Sequence, residues 1–540
     1  MKKLIVLLMV VAFCLTSCDA ILPVIGGFGS SDSTDTNDGH NNGQNNGQNN
    51  GSDSGNGDAT EEEPDNSDDT GNAPDDGDDT PDGDACESHT DVNDDGYCDS
   101  CNEYVIVIVD IYGFNDLHGK FTATDSQPGI GGLTTYLKQK STDNVIYLSS
   151  GDMWQGSSES NLTHGAIMTE WMNELGFVSM TLGNHEYDWG ESYIAANAEL
   201  ANFPLLAINV YDSDTHQRAE YATPSVVVSR GGVEIGIIGA IGDCYSSISG
   251  AVSGGFYFKT GNELAELVMA EATRLRDMGV DFIIYSLHDD DYSYQSVLSN
   301  GYVDLVFEGH THQSYVNTDS YGIYHLQAGG ENKGISYALV SINSANGNSK
   351  VTKASIINAS TYRYYESDPI IEELLLKYDS MINDAYEVLG NNKQYRDDVI
   401  VEQKVADLYY EYGIAKWGDE YDIVLGGGFI RTRTPYNLYA GEVTYSDVYS
   451  LLPFDNELVL CSVKGSDLKS KFINTSNTDY YICYGDYDIS KIENNKIYYI
   501  VTDTYTSTYK YNNLTEIERA TDGIFARDLV ADFIRKGGWA

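Results

Sequence analysis

From Tyr104 onward the chain alternates short β-branched runs with amphipathic stretches. VIVIVDIYGF, NVIYLSSGD, VEIGIIGAIG, DFIIYSLH and DLVFEGHTH are apolar at nearly every position, the pattern of strands buried on both faces. Between them, Leu133 to Lys140 and Asn262 to Met278 carry apolar residues at helical spacing. Strands alternating with helices predict an α/β layered domain over 104–345. A further helical period, Ile370 to Leu389, predicts a connecting helix inside a 346–396 linker. A tyrosine-rich, mixed α/β domain is then expected over 397–540.

Upstream the pattern disappears. Residues from about Gly26 to Asp84 are mostly Asp, Asn, Gly, Ser and Thr, with too little apolar surface to offset chain entropy, so 19–85 is expected to be a disordered acidic linker. Much of the net charge of −52 over 540 residues lies there, because no lysine or arginine occurs between Asp19 and Asp99. Such acidity excludes nucleic-acid polymers as partners, since phosphate backbones need basic surfaces. Small phosphorylated molecules remain open, because divalent ions can supply local positive charge.

The start of the chain adds an address. Met1, Lys2 and Lys3 precede an apolar run from Leu4 to Leu15, which is too short to cross a bilayer and reads as a secretory signal. Its end, Leu15-Thr16-Ser17-Cys18, resembles a bacterial lipobox. Residues 1–18 are therefore expected to be a lipoprotein signal, with Cys18 lipidated and the protein held at the extracellular face of a bacterial membrane.

A small module over 86–103 carries Cys86, His89, Cys98 and Cys101 around Asp91, Asn93, Asp95 and Gly96. A CxxH followed by a CxxC suits tetrahedral zinc; the inner DxNxDG resembles the start of a calcium loop. A disulfide or a structureless linker is the third alternative in an oxidising compartment. Each of these roles is structural.

Chemistry concentrates at the predicted strand ends. Asp116 and His118, Asp152, Asn184 with His185 and Asp188, His288, and finally His310 with His312 follow β-branched runs and adjoin glycine or polar loops. Residues two apart in extended backbone leave the same side, so Asp116 and His118, and again His310 and His312, are expected to converge in that way. Asp152 is a candidate bridging carboxylate. Any one of these histidines alone reads as an ordinary surface or core residue, but the set in this order reads as a metal centre. Mixed Asp, Asn and His donors suit Mn, Zn, Fe, Mg or Ca.

FNDLHGKF, LSSGDMWQGS, TLGNHEYDWG, SLH and EGHTHQ resemble the successive blocks of the calcineurin-like metallophosphoesterases, in their 5'-nucleotidase branch. GGGFIR and TYSDVYSLLPFDNELV resemble that branch's C-terminal substrate domain, so the resemblance covers the chain from about Val105 to its end. It implies a four-layer α/β/β/α sandwich followed by a mixed α/β substrate-binding domain. It also implies two divalent metal ions, one held by Asp116, His118, Asp152 and His312 and the other by Asp152, Asn184, His288 and His310. Two such ions about 3.5 to 4 Å apart acidify a shared water and clamp phosphoryl oxygens. His185, backed by Asp188, then faces the phosphoryl group or leaving oxygen as acid or charge stabiliser.

The substrate domain matches in part. Arg431 corresponds to a phosphate-binding arginine and Phe454 to one base-stacking ring, while Tyr505 stands as a candidate second ring. Leu425 replaces the usual asparagine before the glycine triplet, no arginine occurs around Ile400 to Glu402, and no GGDGY-like loop follows Tyr505. The resemblance implies an extracellular hydrolase of nucleoside 5'-monophosphates or related phosphorylated metabolites. A UDP-sugar or 2',3'-cyclic nucleotide hydrolase is the second enzyme reading, and a surface interaction protein with a vestigial site is the non-enzyme one.

Overall fold

The structure, a computed structural model, describes Cys86 and residues 88–123, 128–245, 248, 255–289, 301–433, 437–454, 456–473 and 482–540. The signal segment, Cys18 and the acidic linker lie outside the described residues. Of the two compact units in the chain, Cys18–Glu87 has Cys86 as its one described residue, and the elements below belong to the other.

Two six-stranded sheets form the first domain. One runs in the order Ser349–Asn358, Gly334–Asn343, Ile106–Phe114, Val145–Ser149, Ser179–Thr181, Leu205–Leu206. The other runs Ser314–Thr318, Tyr324–Ala328, Leu305–Glu308, Phe282–His288, Val233–Ile241, Ser225–Arg230. Strand alternation sends Val109 and Ile111 inward, where they meet Ile237, Ile284 and Phe307 of the facing sheet in one buried cluster. Tyr112 and Phe114 point the other way, onto helices Ile130–Lys140 and Ala166–Leu175. Helix Gly261–Asp277 covers the outer face of the second sheet through Leu264, Val268 and Leu275. The four layers are those the resemblance implies.

Two boundaries differ from expectation. The first sheet continues past residue 345, because Ser349–Asn358 pairs antiparallel with Gly334–Asn343. Its exposed lysines mark it as an edge strand, which lacks the continuous apolar run of the buried ones. The expected connecting helix stops at Lys377, where Tyr378 leaves helical geometry at φ −98°, ψ 6°. Short turns follow, and Val388–Asn392 is a strand paired with Gly441–Thr444. Ile371, Leu374, Ile382, Ala385 and Leu389 are all buried, so the apolar spacing is real although one helix does not produce it.

In the second domain a five-stranded sheet, ordered Ile482–Tyr484, Ile423–Gly428, Ile497–Asp503, Leu458–Lys464, Thr515–Arg519, packs against helix Asp398–Trp417. Gly426 permits that contact: a Cβ there would lie 2.2 Å from the Tyr410 nitrogen.

Candidate metal centre and substrate cavity

All seven expected metal ligands come from strand ends of the two facing sheets. Asp116 and His118 follow Ile106–Phe114, Asp152 follows Val145–Ser149, and Asn184 follows Ser179–Thr181. His288 closes Phe282–His288, while His310 and His312 follow Leu305–Glu308. The expected extended pairs are not extended. Asp116, His118, Asp152, His310 and His312 have φ of 50°, 51°, 54°, 76° and 56°, so left-handed turns aim these side chains. Asn, Asp and His enter that region more readily than other side chains, which explains how the site tolerates five such residues.

The donors form two neighbouring groups. His118 Nε2 lies 3.0 Å from His312 Nε2, which is 3.3 Å from Asp116 Oδ1. In the other group His288 Nε2 lies 3.3 Å from Asp152 Oδ2 and 3.2 Å from Asn184 Oδ1, and His310 Nδ1 lies 2.8 Å from the same Asn184 oxygen. Asp116, Asp152 and His288 offer atoms within 4.8 Å of one another, linking the groups through carboxylates. Cys244, which the sequence did not single out, comes equally close to His288 and His310.

A cation fits this geometry. His118 Nδ1 is 2.9 Å from the Gln155 carbonyl and His288 Nδ1 is 2.7 Å from that of Ser150. Those carbonyl partners fix the proton on each Nδ1 and aim each Nε2 at the neighbouring donors. For His288, burial is outweighed by the Asp152 and Asp116 carboxylates, which push the ring up to about 10 and show how strongly this spot favours a positive charge. Burial, assisted by Arg433 and His312, holds the His118 imidazole well below its ordinary value, and burial with His288 lowers His310 to about 4. Both rings are then neutral donors. Gly151 completes the packing: at φ +92° it leaves no room for a Cβ, which would meet His288 Nδ1 at 2.6 Å.

His185 is set apart from the donors. Its Nδ1 is 2.9 Å from Asp188 Oδ2 and its backbone N–H donates to Asp152 Oδ1 at 2.8 Å. Burial lowers this imidazole, but Asp188 and Asp152 outweigh burial and leave it raised. A carboxylate-backed imidazole retaining its proton is suited to an acid or charge-stabilising role.

Glu186 is a second buried carboxylate of the same turn, with a task that no local pattern signals. Oε2 accepts from the N–H groups of Asp152 at 2.9 Å and Gly183 at 2.7 Å, and Oε1 from those of Met153 at 2.9 Å and Trp154 at 3.3 Å. It ties the two ligand loops together. Burial and the Asp152 charge push this carboxyl up to about 7 against the four amides. Beside the site, Lys120, Glu331 and Arg433 form a buried ion cluster, with Lys120 Nζ 2.5 Å from Glu331 Oε2. Burial alone would raise Glu331, but Lys120 and Arg433 hold it down to about 2.

Arg431, Phe454 and Tyr505 line one cavity of the second domain, of about 430 Å³ including its open mouth, together with Phe429, Asn456 and Asp503. Tyr505 is 5% exposed and makes a T-shaped contact with Phe429, 5.6 Å between centroids at 75°, with Lys510 Nζ 5.2 Å from its ring centroid. The half-buried rings are Phe454 and Phe429; the apolar residue between the glycine triplet and Ile430 was the available signal for the latter. Where an arginine was missing, Glu402 accepts from the Thr432 N–H and lies 3.5 Å from Arg431. Leu425 is fully buried in the core beside Val459 and Ile500.

In the Cys/His module, Cys101 Sγ lies 3.5 Å from His89 Nδ1, and Cys98 shares their group. Cys86 is half-buried. Asp91 accepts from the N–H groups of Asp95 and Gly96 and from Asn343 Nδ2 at 2.8 Å, bonds that shape the loop between the two pairs.

Residues 384–503 match the family described as 5'-nucleotidase, C-terminal domain. The chain is 26% identical over 425 residues to Protein UshA of Yersinia enterocolitica, covering 67% of this chain and 75% of that protein. It is 27% identical over 450 residues to an apyrase of Tabanus yao, covering 74% and 78% respectively. The crystal structure of a 5'-nucleotidase precursor from Thermus thermophilus superposes with a TM-score of 0.63 at 18% identity, covering 80% of this chain and 96% of that one.

Proposed function

Because the chain belongs to the 5'-nucleotidase family and is a metal-dependent phosphoester hydrolase, we propose that it releases phosphate from nucleoside 5'-monophosphates or related phosphorylated metabolites outside the cell. One observation carries the reading: two donor groups joined by Asp116 and Asp152 stand beside His185, whose ring is paired with Asp188 rather than with either group. Bound divalent ions supply Lewis acidity, polarising phosphoryl oxygens and acidifying water. The protein's own groups do the rest. Asp152 fixes the His185 backbone, Asp188 holds the ring's Nδ1, and the other edge of the ring is left for the leaving oxygen. In the second domain, Arg431 offers a guanidinium suited to phosphate and Phe454 a half-buried ring suited to a base, while Phe429 carries Lys510 Nζ at 4.8 Å and Arg431 Cζ at 5.4 Å from its ring centroid.

Export and anchoring through Cys18 belong to the same reading and rest on the sequence Met1 to Cys18. A structural zinc on Cys86, His89, Cys98 and Cys101 rests on their spacing and on the Cys101–His89 separation of 3.5 Å, the edge expected of a tetrahedron with Zn–S about 2.3 Å and Zn–N about 2.0 Å.

The test is a substrate panel with added manganese or zinc: a chromogenic monoester, a chromogenic diester, AMP, UDP-glucose and a 2',3'-cyclic nucleotide. AMP hydrolysis that falls roughly a hundredfold or more in His185→Ala, with metal content unchanged, is the expected result. Preference for UDP-glucose or the cyclic nucleotide would overturn the monophosphate assignment. Metal binding with no hydrolysis of any ester would overturn catalysis.

A further inference from the structure

Arg433 is carried by the second domain but ends among residues of the first. Only 4% of it is exposed; Nε donates to Glu331 Oε1 at 2.8 Å and Nη1 to Gln155 Oε1 at 2.7 Å. Each acceptor residue is fastened through its own backbone to a donor of the first metal group. The Gln155 carbonyl receives His118 Nδ1 at 2.9 Å, and the Glu331 N–H donates to the Asp116 carbonyl at 2.7 Å. The third donor, His312, packs on the residue preceding Glu331: a Cβ on Gly330 would lie 2.6 Å from its ring.

One guanidinium therefore braces, from outside, the residues that hold Asp116, His118 and His312. Its planar fork suits two acceptors at a fixed angle, which a lysine ammonium cannot reproduce. Lys120 grips the remaining Glu331 oxygen, so the carboxylate is clamped from both sides. Backbone strain makes such a clamp useful, because Glu331 and Asn332 sit at φ 61° and 53°. The second group is held by other contacts: Asn184 meets both His288 and His310, and His288 Nδ1 turns to the Ser150 carbonyl.

We infer that Arg433 is a positioning residue for the first metal ion, so that seating of the second domain on the first sets that ion's affinity and leaves the second ion's nearly unchanged. The inference rests on the dinuclear reading above and adds an asymmetry to it. The ion at Asp116, His118 and His312 is the one that loosens when the interdomain contact loosens.

The test titrates Mn²⁺ into chelator-stripped full-length protein by calorimetry, with His118→Asn and Asn184→Ala assigning the two binding events. Arg433→Gln is expected to weaken the first event about tenfold or more and to spare the second, with Arg433→Lys intermediate. At limiting Mn²⁺ kcat should drop; at saturating Mn²⁺ it should recover, with KM for substrate unchanged throughout. Wild-type affinity for both ions in Arg433→Gln overturns the inference, as does equal weakening of both. A raised KM that Mn²⁺ does not restore would make Arg433 a substrate contact instead. Wild-type protein that binds no Mn²⁺ would remove the dinuclear reading itself, a result distinct from unchanged binding in the variant.

Discussion

Replacing Glu186 by glutamine separates stability from site geometry, because two large terms oppose each other at this residue. The carboxylate accepts four backbone N–H groups, two on each oxygen. Glutamine keeps one oxygen and turns an NH2 toward two donors, losing two charge-assisted bonds at about 1.5 to 3 kcal/mol each, or about 3 to 6 kcal/mol in total. Against that, burial and the Asp152 charge push the carboxyl up to about 7 even with its amides in place, so the charge that glutamine removes is itself unfavourable there and offsets part of the loss. The net cost in overall stability is therefore smaller than the hydrogen-bond sum. Metal affinity should not be spared, because the two released amides flank Asp152 and Asn184 and the loops bearing both ligands come apart. A fall of about 10- to 100-fold in affinity is expected, measured as Mn²⁺ retained after dialysis and as the Mn²⁺ concentration giving half-maximal activity. Wild-type Mn²⁺ affinity in Glu186→Gln would refute the view that this carboxylate holds the ligand loops.

Three other expectations concern separate parts of the chain. Phe454→Ala should raise KM for AMP roughly tenfold, the loss of about 1 to 3 kcal/mol of stacking, and leave a small chromogenic ester unaffected; equal effects on both substrates would remove Phe454 from base recognition. Asp503 is raised by burial and accepts from the Tyr409 hydroxyl and the Thr506 N–H, so the folded state holds its proton more tightly than the unfolded state. Stability of the second domain should accordingly fall as pH rises from the ordinary carboxylate value of about 4 through the higher folded value. Asp503→Asn should flatten that slope in urea melts, and an unchanged slope would assign it elsewhere. Elemental analysis of full-length protein should find one zinc that withstands dialysis and is missing in Cys98→Ser; equal zinc in both proteins excludes the Cys/His site.

The layers and the convergence of the candidate donors were legible because both follow from local chemistry. A buried strand needs an unbroken apolar run, and the residues just past it must turn, so Asp152 and His288 stood out beside glycine and β-branched neighbours. What escaped was whatever depends on distant partners. Glu186 acts on amides 32 to 34 positions earlier, and Arg433 reaches Gln155 across 278 positions, separations at which no periodicity operates. The edge strand Ser349–Asn358 was hidden by its polar exposed face, and the helical period after Ile370 came from turns that bury the same residues a helix would. The departures at Leu425 and near Glu402 were visible as departures. Their meaning required the fold, which shows one packing a core and the other engaging Arg431.

The left-handed backbone at Asp116, His118, Asp152, His310 and His312 limits how this centre can change over evolutionary time. Side chains that accept positive φ with the least penalty are favoured at those five positions, and among metal-binding residues these are foremost Asp, Asn and His. Exchange within that set alters charge and preferred ion without moving the chain. Drift among hard and borderline ions is therefore accessible by single substitutions.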